Sequence, residues 1–314
     1  MTRREALAAS LGCLALTRCS FSGKQQPPPL VSIVHASYDQ SIYDTVRRLL
    51  VEHRVDVRGK RVVLKPNLVE FDPGTTINTH PMLVHAALEG FRALGAADVR
   101  IAEGPGHRRV TMDLADAAGY FAAIPRFEEL FTDLNLDDVS QVLLHDPFSR
   151  LKAVYFPNTA LQADLLVSLP KMKTHHWVGA TLSMKNFFGL VPGGIYGWPK
   201  NVLHWAGIDE SIADIHAVFP RHFAIVDGVV GMDGNGPIQG KPKPVGVLVA
   251  GKDFPAVDAT CCRIMKIDPA KIGYLRLAAS PRALGESNIQ QIGLAINKVA
   301  TPFDLIQEWQ AIRL

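Results

Sequence analysis

The chain has 314 residues, 47% hydrophobic and 20% charged, enough apolar mass for a large core, which excludes a disordered or fibrous protein. Its formal net charge is +3, with Lys and Arg dispersed along the chain rather than clustered, which excludes the dense basic face of a nucleic-acid-binding protein. Small molecules or proteins are left as partners.

Residues 1–29, MTRREALAASLGCLALTRCSFSGKQQPPP, place Arg3 and Arg4 before a small apolar stretch from Ala6 to Leu16 and a polar, Pro-ending spacer. That is the order of an export signal, and the stretch is too short to span a bilayer, so no transmembrane segment is expected. The paired arginines resemble a twin-arginine signal, which implies a periplasmic or otherwise extracytoplasmic protein. Ala6 and Arg18 depart from the usual pattern, and Arg18 stands directly before Cys19 where a lipoprotein has a small residue. A lipid anchor and a cytoplasmic extension remain the alternatives. Because twin-arginine routes carry folded cargo, the leader hints at a cofactor loaded before export, but the sequence leaves that cofactor unknown.

Residues 30–314 read as a single α/β domain. Strands are predicted at 30–36, 61–67, 98–104, 164–171, 222–228 and 245–251, and helices at roughly 39–54, 81–95, 111–119, 208–219 and 255–266. The strands are continuously apolar rather than alternating, which predicts a layered α/β fold: a mostly parallel sheet with helices on both faces. Residues 172–207, rich in Gly and aromatics, are long for a connection and predict a lid or small insertion. Residues 229–244, VVGMDGNGPIQGKPKP, predict a Gly/Pro-rich loop, and no helix follows that would make it a nucleotide fingerprint. Cys261 and Cys262 are adjacent in a predicted helix, point to different faces and predict no disulfide.

In open α/β sheets ligands bind beyond the carboxyl ends of the strands. There this chain carries Lys65 and Asn67 in KPN, Glu103 in EGPGH, Lys171, Lys173 and His175 in PKMKTHH, and Asp227 in DG. Lysines just leaving a core require an anion or shift their pKa, so Lys65 and Lys171 favour an anionic ligand. Lys185 and Asn186 stand between apolar residues in ATLSMKNFFG; either Lys185 serves a site or its stem snorkels over an apolar surface. His80, before Pro81, either caps a helix or faces the site. Neighbouring His175 and His176 diverge from an extended chain, which favours His175 as the acid/base or ligating group. His80, His175 and a carboxylate such as Glu103 or Asp227 match no metal-spacing motif, so no metal site is assigned. Asp253 reads as a helix N-cap, and Asp258 as a partner for a lysine.

The segments VVLKPNLV, NTHPMLVHAALEGFRALGAADVRIAEGPG, LLVSLPKMKTHHWVGATLSMKNFFGLVP, AIVDGVVGMDGNGP and VLVAGKDFPAVDATCCRIMKIDP together resemble the domain of unknown function 362 family over about residues 30–290. The resemblance implies an α/β fold and no particular reaction. Some relatives carry a ferredoxin-like segment with cysteine-bound iron-sulfur clusters. This chain lacks those cysteines, so the resemblance implies at most an iron-sulfur redox partner protein.

The expectation is therefore a crevice for a small anionic substrate or cofactor. Its catalytic candidates are Lys185, His175, His80 and Asp227, and its ligand-binding candidates Lys65, Asn67, Glu103, Lys171, Lys173 and Asn186. The alternative is a non-catalytic cofactor-binding or accessory protein for an exported redox partner.

Overall fold

The computed structural model describes residues 27–279 and 283–314; the Arg3-Arg4 motif, Cys13 and Cys19 lie outside the described residues. The strands are β1 (Leu30–His35), β2 (Arg61–Pro66), β3 (Asp98–Glu103), β4 (Phe131–Asp133), β5 (Val139–Leu143), β6 (Ala153–Pro157), β7 (Leu165–Leu169), β8 (Lys171–His175), β9 (Gly179–Thr181), β10 (His222–Asn235), β11 (Gln239–Gly251) and β12 (Gln290–Gly293). One mixed, mostly parallel sheet runs β12-β1-β11-β10-β7-β2-β3-β4, with β8 beside β10 and β9 beside β8. The antiparallel pairs are β1 with β11, β11 with β10 and β8 with β9.

Both faces of this sheet are covered, which is why its strands lack apolar-polar alternation. Val62 and Leu64 of β2 join a core built with helices Ser41–Glu52 and Pro81–Ala93. Val63, between them, points into the opposite core, which contains residues of helices Ile208–Val218 and Phe254–Ile264. Helix Ser41–Glu52 buries Ile42, Val46, Leu49 and Leu50, a helical stripe that seats it on the sheet. Helix Phe254–Ile264 starts where Asp253 accepts the Ala256 N–H at 2.8 Å, the N-cap read from the sequence.

The structure revises three local expectations. The predicted strand at 164–171 breaks at Pro170, and Lys171–His175 form β8, buried throughout rather than looped into solvent. The Gly/Pro-rich loop at 229–244 is instead a hairpin arm, with β10 and β11 paired as far as Asn235 and Gln239. Pro242 and Pro244 are tolerated there because β11 has extended beyond its pairing with β1 and become an edge strand. Residues 172–207 are no detached lid: Met184, Phe187 and Leu190 are fully buried in the core. β4, the β5-β6 hairpin and β12 carry short patterns that the sequence reading passed over.

Candidate functional site

The carboxyl ends of β2 and β3, strand β8 and the 183–204 segment enclose a cavity of about 370 Å³, within the range of small-ligand sites. Lys65, Asn67, Glu103, Lys173, His175, Lys185 and Asn186, all singled out from the sequence, line it. Lys171, Asp227 and His80 do not; buried Lys171 and Asp227 form a separate cluster with the half-buried His80 beside it.

In that cluster the Lys171 ammonium donates to Asp227 at 2.7 Å and to the Tyr38 hydroxyl at 3.0 Å. Asp227 also accepts from the Tyr38 hydroxyl at 2.7 Å and from the His80 backbone N–H at 2.9 Å. The His80 ring stacks on Tyr38 and its Nδ1 accepts from Met82 N, so His80 is the helix cap. Every charge here has its counter-charge within the chain.

The cavity differs. Glu103 is its buried carboxylate, and three donors already occupy it: Lys65 Nζ at 2.7 Å, Gly104 N at 2.8 Å and Leu68 N at 3.0 Å. Lys173 finds two carbonyl oxygens, of Ile77 and Pro237, at 2.9 and 3.1 Å. Lys200 finds three, of Gly104, Phe188 and Gly189, at 2.8, 3.2 and 3.2 Å. Neither has a carboxylate partner. Burial, with other lysines nearby, holds Lys173 well below its ordinary pKa and lowers Lys200 to about 7.

Lys185 keeps some exposure toward the cavity, where its Nζ lies 3.9 Å from the Phe188 ring centroid. Burial, then the charge of Lys65, lowers it to about 7, against a weaker upward pull from Asp209. The turn that carries Lys185 is pinned by Asp258, which accepts from Ser183 N at 2.8 Å and Met184 N at 3.0 Å. Asp258 therefore holds backbone rather than pairing with a lysine as the sequence suggested.

Three imidazoles complete the wall, and their hydrogen bonds assign their tautomers. His175 Nδ1 accepts from Trp177 N at 3.0 Å, so in the neutral ring Nε2 carries the proton and is a donor. Burial, then Lys185, pushes its pKa well down and keeps it neutral. His176 Nδ1 lies 2.8 Å from the Gly236 carbonyl and His204 Nδ1 lies 3.1 Å from the Lys200 carbonyl; both nitrogens are donors, and each Nε2 is a bare acceptor. Burial and the Lys185 charge lower His204 to about 4. Two buried polar atoms against the cavity, Asn67 Oδ1 and Thr181 Oγ1, have no hydrogen-bond partner among the described residues.

The sequence reading missed Lys200 and His204. The pair stands four apart in PKNVLH, the spacing that joins them across one helical turn, and this was the available signal. Among the described residues no group of three or more His, Cys, Asp or Glu is placed to hold a metal ion. Cys261 and Cys262 are both buried, away from any surface that a partner's cluster could meet.

Gly189 gives the site a direct test. A Cβ there would overlap Lys65 Nζ and Glu103 Oε1. Gly189→Ala is expected to force the pair apart and lower unfolding free energy by about 1–3 kcal/mol, read from the shift of the denaturant midpoint.

The chain is 29% identical over 238 residues to a thylakoid-associated protein of Synechocystis sp., covering 72% of this chain and 70% of that one. The lactate racemase apoprotein of Thermoanaerobacterium thermosaccharolyticum superposes with a TM-score of 0.50 at 15% identity, a likeness of fold alone. It covers 76% of this chain and 57% of the racemase, so this chain matches under two thirds of that enzyme's length. The family model described as Domain of unknown function (DUF362) matches residues 62–263, well over half of the sequence, and the chain belongs to that family.

Proposed function

We propose that this protein binds a small anionic molecule in the cavity at the tips of β2 and β3 and carries out acid/base chemistry on it. The observation that carries the reading is the charge imbalance: Lys65, Lys173, Lys185 and Lys200 surround one carboxylate, Glu103, whose acceptors are already taken. A ligand anion would supply the missing negative charge, at a point where low dielectric strengthens the attraction. An ammonium has three N–H groups. Lys65 uses two, on Glu103 and the Pro66 carbonyl, so one is left for a carboxylate or phosphate oxygen, and Lys173 uses two and gains a third when an arriving anion favours its protonated form.

Acid/base competence rests on Lys185, at about 7, and on the bare Nε2 of His176 and His204. The racemase is named for a small carboxylate, which belongs to the same ligand class, but the reading stands on this chain's own lysines.

The test is calorimetric titration with propionate and with inorganic phosphate across pH. Anion binding favours the charged lysines, and Lys185 and Lys200 both lose their protons near pH 7. Propionate affinity is therefore highest on the acid side and falls about tenfold as pH rises from about 6 to about 8. Lys185→Met is expected to weaken it and flatten the profile. Absence of binding by either anion at any pH would refute the reading.

A further inference from the structure

Lys185 differs from the other lysines of the cavity in having no acceptor. Lys65 holds Glu103, Lys173 holds two carbonyls and Lys200 holds three, whereas among the described residues no hydrogen bond or ion pair engages Lys185 Nζ. It lies against a phenyl face, which offers no hydrogen-bond donor to the nitrogen lone pair once the proton is gone. His204 packs on the same Phe188 ring, with centroids 5.2 Å apart, so a bare imidazole nitrogen shares the amine's surroundings. Asp258 fixes the backbone on which Lys185 stands.

We propose that Lys185 is a nucleophilic amine that condenses with the carbonyl carbon of a small 2-oxo acid held in this cavity. The inference deepens the anion-binding reading and rests on it. The carboxylate of such an acid meets the spare N–H groups of Lys65 and Lys173 and the Nε2–H of His175, while its adjacent carbonyl faces Lys185. The lone pair of neutral Lys185 forms the C–N bond as the C=O π pair moves to oxygen. That oxygen takes a proton from solvent, the one proton the overall condensation consumes, and the nitrogen releases one to His204, which gives a neutral carbinolamine. Return of the proton from His204 to the hydroxyl expels water, and the nitrogen lone pair closes the C=N bond of a protonated imine. No oxidant or reductant enters. The charges around the amine are those of Lys65, Lys173, Lys200 and Asp209, beside the imidazoles of His175 and His204. The net positive field favours the neutral amine near pH 7 while Lys65 remains paired with Glu103.

The experiment incubates the full chain with pyruvate and cyanoborohydride near neutral pH, then locates the reduced adduct by intact-mass and peptide mass spectrometry. The expected result is one adduct per chain, on Lys185, suppressed by propionate. Lys185→Arg keeps a cation but removes the nucleophile, and is expected to lower labelling more than about tenfold while the thermal unfolding profile stays that of the parent. Lys185→Met provides a second variant should arginine crowd the cavity. Labelling spread over surface lysines and unchanged in both variants overturns the proposal. Propionate binding without any pyruvate adduct overturns it too and leaves the anion-binding reading standing. Failure of both propionate and pyruvate to bind removes both.

Discussion

Replacing Asp227 by alanine is expected to lower the unfolding free energy by about 3–5 kcal/mol while propionate affinity of the folded protein stays unchanged. The carboxylate accepts from Lys171, Tyr38, His80 N and, at 3.3 Å, Val229 N. Without it Lys171 keeps the Tyr38 hydroxyl and the Val230 carbonyl and becomes an uncompensated buried cation. The start of helix Pro81–Ala93 loses the tie at His80 N as well. Removing both charges should be far less damaging, because an apolar pair avoids the desolvation of either ion. Lys171→Met with Asp227→Leu is therefore expected to be more stable than Asp227→Ala alone. Guanidinium unfolding reads the stability and calorimetry reads the affinity. A tenfold or larger change in propionate affinity for Asp227→Ala would mean that this cluster belongs to the binding site after all.

Glu103→Gln is expected to act differently, weakening the fold and strengthening anion binding. Glu103 serves three donors with two oxygens at almost complete burial. An amide presents one acceptor and turns N–H groups toward either Lys65 or Leu68 N, so one buried donor loses its acceptor. The expected cost is again about 3–5 kcal/mol. At the same time the cavity loses its negative charge and Lys65 is released. Propionate should then bind at least about tenfold more tightly, a gain of about 1.4 kcal/mol that a like charge removed within roughly 10 Å supplies at an effective dielectric near 20. Equal or weaker binding in a folded variant would contradict the reading of Glu103 as an internal counter-charge.

Both predictions turn on a distinction that the residues themselves did not reveal. LPKMKTHH displays its charges side by side, yet the strand sends Lys171 to Asp227 and Lys173 to the cavity. The ladder between β8 and β10 is irregular between Asp227 and Met232, and that irregularity separates the surroundings of two lysines only two positions apart. For His80 the residues leave two alternatives, cap or site, and the Met82 N–H decides for the cap. The sequence does not single out Lys200, because its surroundings come from residues remote from it along the chain or in a preceding turn, the carbonyls of Gly104, Phe188 and Gly189.

What the sequence determined by itself was the layered α/β class, its principal strands, the helix starts at His80 and Asp253, and the concentration of lysines at strand ends. These depend on periodicity, burial on two faces and capping, which act within a few residues along the chain. Only the tertiary structure decided which charges neutralise each other. Charge pairing depends on distance across the sheet, and residues 38 and 56 positions apart, Lys65 with Glu103 and Lys171 with Asp227, meet only when parallel strands bring their ends together. The same convergence leaves Lys185 against the Phe188 ring, with no hydrogen-bond acceptor among the described residues.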